Sequence, residues 1–152
     1  MIPAMGKGEA ASAPPASAAR HGRILVVDEA VPIRNTLVEI LLKLGVAEGD
    51  VEQASSGDEA LAAFRREVPH VVFAELVGVH PEDGLEIVHE MLDRAPQVRI
   101  VLVTAEARDS PEVRAAVRAG VFAIVEKPLR HEKIRQVLSD LAAEEGGIER
   151  FR

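Results

Sequence analysis

The chain has 152 residues, 47% of them hydrophobic and none of them cysteine. One domain of this length can bury a core without staples, and disulfides and thiolate metal sites are excluded. Acidic residues outnumber Lys and Arg by 25 to 18 and aromatics make up 3%, which argues against a nucleic-acid surface built from basic patches and stacking rings.

Residues 1–22 are rich in Ala, Ser, Pro and Gly and lack the apolar centre of a secretory signal. They read as a flexible tail, with a transit peptide as the alternative. The folded domain is expected over 23–143, with 144–152 as a polar C-terminal tail. No stretch is apolar enough for a membrane span, and a cytoplasmic protein is expected.

The first expected strand is Ile24-Leu25-Val26-Val27, a β-branched run without alternation that ends in the acids Asp28 and Glu29. Such runs suit strands covered on both faces. Ile33, Leu37, Ile40, Leu41 and Leu44 then repeat at helical spacing until Gly45. Val51 to Ala54 is a second, weaker strand, followed by the turn Ser55-Ser56-Gly57 and a helix marked by Ala60, Leu61 and Phe64. Val71 to Ala74 is the third strand, closed by Glu75. A loop through Gly78, Pro81 and Gly84 leads to a third helix carrying Leu85, Ile87, Val88, Met91 and Leu92, with Asp83 as its expected N-terminal cap.

Ile100 to Val103 is the fourth strand and closes at Thr104. Ser110-Pro111-Glu112 places a capping hydroxyl, a proline and an acid in the order that opens a helix, which should stop at Gly120. Ala123 to Val125 is the fifth strand. Lys127 and Pro128 follow it, then a last helix with Ile134, Val137, Leu138 and Leu141 on one face. The alternation predicts an α/β, doubly wound, five-stranded parallel sheet. Ligands of such sheets bind beyond the carboxyl ends of the strands. That rule gathers Asp28, Glu29, Glu75, Thr104 and Lys127 into one crevice.

Carboxylates are hard ligands that suit Mg²⁺, an ion that keeps several waters. A lysine can pair with a carboxylate or a phosphoryl oxygen, and a hydroxyl can donate to a further one. A carboxylate nucleophile in this crevice would form an acyl phosphate.

Several motifs, in order, carry a resemblance to the receiver domains of bacterial two-component response regulators. They are Ile24 to Glu29, Ile33-Arg34 with Leu37, Ala54 to Leu61, Pro69 to Glu75, Asp83 to Glu86, Val101 to Ala105, Ala119-Gly120 and Glu126-Lys127-Pro128. The resemblance covers roughly residues 22 to 143 and implies the flavodoxin-like (βα)5 fold. It implies Mg²⁺ held by Asp28 and Glu29, a phosphoryl group contacted by Thr104 and bridged by Lys127, and a cis Lys127–Pro128 bond.

The departures bear on function. Glu75 stands where the phosphoacceptor aspartate is expected, and Glu29 replaces the commoner second aspartate. The loop from Glu75 to Gly84 is one residue longer than the family pattern, and Ile124 stands where a switch aromatic is usual. The extra methylene of Glu75 moves its carboxylate by about one carbon–carbon bond. A misplacement of about 1 Å can cost roughly a hundredfold in transfer. The same methylene carries the carboxylate toward Lys127 and Thr104. Glu75 is then either a fixed partial mimic of the phosphorylated state or an acid kept to pair with Lys127.

The expectation is an atypical, stand-alone receiver that is not an enzyme and acts as a phosphorylation-independent protein-interaction module. After the last helix too few residues remain for another core. A cofactor is not required, and Mg²⁺ is a candidate ligand at Asp28 and Glu29, weak if bound. Partners would be proteins: a histidine kinase, a separate output protein or a second copy, with no nucleic acid and no membrane. The expected contact face comprises Arg114, Arg118, Ile124, Glu126, Arg130 and Lys133. One alternative is a phosphorylatable receiver using Asp83 or Glu75 itself. A remoter one is a Mg²⁺-dependent phosphatase-like enzyme, although no Gly-rich phosphate loop is present.

Overall fold

The structure, a computed structural model, describes residues 22–75 and 81–150, with side chains described for all of these except 81–83 and 145–150. Within this range lie β1 (Ile24–Val27), α1 (Val31–Lys43), a short 3₁₀ turn (Glu48–Asp50), β2 (Val51–Ala54), α2 (Gly57–Arg66) and β3 (Val71–Ala74). They are followed by α3 (Pro81–Arg94), β4 (Arg99–Thr104), α4 (Pro111–Ala119), β5 (Ala123–Glu126) and α5 (His131–Arg150). The sheet has the order β2-β1-β3-β4-β5, and every pairing is parallel. This is the doubly wound arrangement anticipated from the alternation of apolar runs.

Side chains alternate between two covered faces, which is why the strands read as continuous apolar runs. On one face Ile24, Val26, Val71, Phe73 and Val101 pack with Leu37 and Leu41 of α1 and with Ile134 and Leu141 of α5. On the other, Leu25, Val27, Val72, Ala74 and Ile100 pack with Ala60 and Phe64 of α2 and with Val88 and Met91 of α3. Leu102 is covered by Val113 and Ala116 of α4, against which Ile124 also packs. Each fully buried large side chain contributes about 1.5–3 kcal/mol.

Local signals place the helices. The Ser56 hydroxyl accepts from the Glu59 N–H, and the Glu59 carboxylate accepts in return from the Ser55 N–H and hydroxyl. This two-way capping fixes the start of α2. The Ser110 hydroxyl accepts from the Val113 N–H, and Gly120 ends α4 at φ 114, a conformation that side chains resist.

Two expectations change. Helix α3 begins at Pro81, so Asp83 falls inside its first turn instead of capping it. Proline has the fixed φ and absent N–H that suit a first helical position, and Gly84 does not interrupt the helix. The Asp83 side chain and residues 76–80, and so the lengthened part of the loop, lie outside the described residues. Likewise, α5 continues to Arg150 instead of ending near 143, with Arg99 at the start of β4 paired to Glu144. The 3₁₀ turn before β2 carries no periodicity and was not expected. The tail at 1–21 and residues 151–152 lie outside the described residues.

Candidate functional site

The strand order reverses between β1 and β3: the chain passes from β1 to β2 on one side and continues through β3, β4 and β5 on the other. The crevice at this switch point receives whatever follows β1 and β3. Those residues are Asp28 and Glu75.

Asp28 is buried, with 4% of its surface exposed. Its N–H donates to the Ala54 carbonyl at 3.1 Å, continuing the ladder with β2. Its Oδ1 accepts from the Ala30 N–H at 2.9 Å, an Asx-type turn that leads the chain toward α1. Its Oδ2 accepts from Lys127 Nζ at 3.0 Å. The Glu75 N–H donates to the Val27 carbonyl at 2.9 Å, and its Oε2 lies 3.6 Å from the same lysine nitrogen. Thr104 is fully buried at the end of β4. Its hydroxyl accepts from the Glu106 N–H at 3.0 Å, and its carbonyl accepts from the Lys127 N–H at 2.8 Å. The Lys127–Pro128 bond is cis.

Asp28, Glu75, Thr104 and Lys127 therefore gather at one end of the sheet. Two carboxylates share one ammonium, and the three side chains are 5%, 16% and 19% exposed for Asp28, Glu75 and Lys127 respectively. Partial burial makes these pairings stronger than surface ones and makes any change of charge costly. Glu29 departs from the group and is exposed. Among the described residues, no group of three or more His, Asp or Glu side chains is placed to hold a metal ion. The donors accordingly fit only a magnesium ion that keeps most of its waters.

The expected contact face is partly engaged internally. Arg114, Arg118 and Arg130 are exposed, and Val117 between the first two is 53% exposed. Ile124 is half-buried. Lys133 Nζ donates to the Glu126 carbonyl at 3.4 Å, and the Glu126 carboxylate lies 3.5 Å from Arg108 Nε. Arg108 also donates to the Ile124 carbonyl at 3.2 Å. Arg108 and Arg34 are residues whose contacts sequence reasoning did not anticipate. Arg34 lies one turn inside α1, close enough to reach back to the strand before it, and that position is the signal that could have found it.

The chain belongs to the response regulator receiver domain family, whose profile matches residues 24–139. It is a receiver of two-component signalling. It is 34% identical over 110 residues to protein-glutamate methylesterase/protein-glutamine glutaminase 4 of Myxococcus xanthus, covering 72% of this chain and 31% of that protein. It is 27% identical over 118 residues to the chemotaxis protein CheY of Bacillus subtilis, covering 77% and 94%. The chain thus spans under a third of the Myxococcus relative and nearly all of the Bacillus one. Among solved structures, CheY4 of Vibrio cholerae superposes with a TM-score of 0.66 at 25% identity, covering 78% of this chain and 97% of that one. A CheY-like receiver of Methanospirillum hungatei shares the fold at TM-score 0.71 and 22% identity, covering 83% and 97%.

Proposed function

We propose that this receiver is a pseudo-receiver: a protein-interaction module that works without aspartyl phosphorylation and is not an enzyme. One observation carries the reading. The carboxylate at the acceptor position, Glu75, lies beside Lys127, whose ammonium is already bonded to Asp28. A phosphoryl group would need that ammonium. Glu75 brings a negative charge toward it permanently, although one charge and two oxygens imitate a phosphoryl group only in part.

Magnesium, where bound, would be held by Asp28 with water completing its shell, since Glu29 is exposed, and would supply positive charge beside the carboxylates. The partner would be a protein, a histidine kinase or separate output protein or a second copy, meeting α4, β5 and α5 through Arg114, Arg118 and Arg130. The expected compartment is the cytoplasm.

The test is intact mass after incubation with acetyl phosphate and Mg²⁺, with Glu75→Asp and Asp83→Asn in parallel. The wild-type protein should gain no phosphoryl adduct, and Glu75→Asp should gain one. A wild-type adduct would overturn the proposal, and its loss in Asp83→Asn would place the acceptor on α3. An adduct on neither wild type nor Glu75→Asp would extend the defect to the longer loop.

A further inference from the structure

We infer that Arg34 is a positioning residue of the cleft: it clamps the end of β1 so that Asp28, not Glu75, takes the shorter bond from Lys127. The inference concerns the same cleft and rests on its reading as an ion-paired site.

Every polar atom of Asp28 is engaged. The N–H is held by β2, Oδ1 by the Ala30 N–H and Oδ2 by Lys127. The carbonyl is held by Arg34, whose Nη1 donates to it at 2.7 Å. This is the shortest of the four. The same guanidinium donates through Nε to Gln53 Oε1 on β2 at 3.2 Å. One planar group on α1 thereby spans the ends of both strands.

The clamp matters because α1 has no cap of its own. Its N-cap residue is Ala30, which has no side chain to bond the free N–H groups. The turn from Asp28 to Val31 is held instead by the Asp28 carboxylate on one side and by Arg34 on the other. Arginine suits the task through its rigid fork, which serves two acceptors at once and never loses its charge. Lysine carries a single point charge and can serve one.

Lys127 stands 3.0 Å from Asp28 Oδ2 and 3.6 Å from Glu75 Oε2. With the end of β1 released, Oδ2 no longer has a fixed place, and the lysine turns toward Glu75 and water. Arg34 thus sets how the Lys127 ammonium is divided between Asp28 and Glu75, without touching the lysine.

The test is the reactivity of Lys127 toward trace acetic anhydride, read by peptide mass spectrometry relative to the exposed Lys43. Arg34→Ala should raise the relative reactivity of Lys127 by roughly threefold or more, the change expected when a hydrogen bond of ordinary strength is weakened. Arg34→Lys should restore it in part. In a Glu75→Gln background, where the lysine can no longer turn to that carboxylate, the increase should be larger. A fall in melting temperature with Lys127 reactivity unchanged would overturn the proposal and leave Arg34 a structural residue. An increase that is the same in the Glu75→Gln background would overturn it too. If Arg34→Ala does not fold, Arg34→Gln and Arg34→Lys decide the matter by the same ratio. No phosphoryl donor enters this assay, so a wild-type phosphoryl adduct would sink the pseudo-receiver reading and leave the result for Arg34 standing.

Discussion

The two ends of the sheet both carry ion pairs, built from similar residues in different surroundings. At the amino end, Arg23 bonds Glu52 at 2.9 Å, Arg66 joins the same carboxylate, and Arg99 pairs with Glu144. The side chains there are between 25% and 63% exposed. At the carboxyl end, Lys127 meets Asp28 and Glu75 with none of the three more than 19% exposed. Water screens the first group and largely spares the second. The difference teaches that the amino-end pairs decorate the rim, while at the carboxyl end the same chemistry is concentrated enough to respond to a missing or added charge.

The largest effect should come from Lys127→Met. It removes the ammonium that a buried aspartate and a neighbouring glutamate share. Breaking a buried pair from one side costs about 3–5 kcal/mol, and the lysine's residual exposure lowers the expected loss to about 2–4 kcal/mol. Urea unfolding measures it. A loss no greater than that of a rim variant would erase the contrast between the two ends.

Arg66→Ala, at the rim, should cost under about 1 kcal/mol, and the cost should shrink as salt is added. Unfolding in low and high salt tests both statements. A larger cost that is insensitive to salt would show that the rim is held as firmly as the cleft.

The smallest effect belongs to an exposed carboxylate with a fixed structural task. Bonds from the Ser55 backbone and hydroxyl hold the Glu59 carboxyl below its ordinary value of 4.5. A depressed folded value means that the stabilisation is fully present above the unfolded value and is lost as pH falls through the folded one. The stability gap between the wild type and Glu59→Gln should therefore be present at neutral pH and close on acidification. A gap that persists at acid pH would show that the glutamate acts through packing and not through its charge.

Much of this was readable from particular residues. Ile24 to Val27, Val71 to Ala74 and Ile100 to Val103 are apolar without alternation because the sheet is covered on both faces. Ser110-Pro111 and Gly120 bracket α4 because capping and a left-handed stop are local chemistry. The start of α3 was misread: Gly84 looks like an interruption in isolation and is buried in place, where neighbouring packing outweighs its weak helix preference. The continuation of α5 was missed for a similar reason, since a polar segment has no apolar periodicity and a pairing such as Arg99 with Glu144 joins residues far apart in the chain.

By itself the sequence determined the fold class, the order of strands and helices, and the acids that follow the first and third strands. Those follow from hydrophobic pattern and turn chemistry, which act over a few residues. Tertiary structure alone decided that Lys127 stands nearer Asp28 than Glu75 and that Arg34 reaches back to hold the end of β1. Each is a distance of a few ångströms between residues on different elements, and such distances are set by how the helices pack on the sheet.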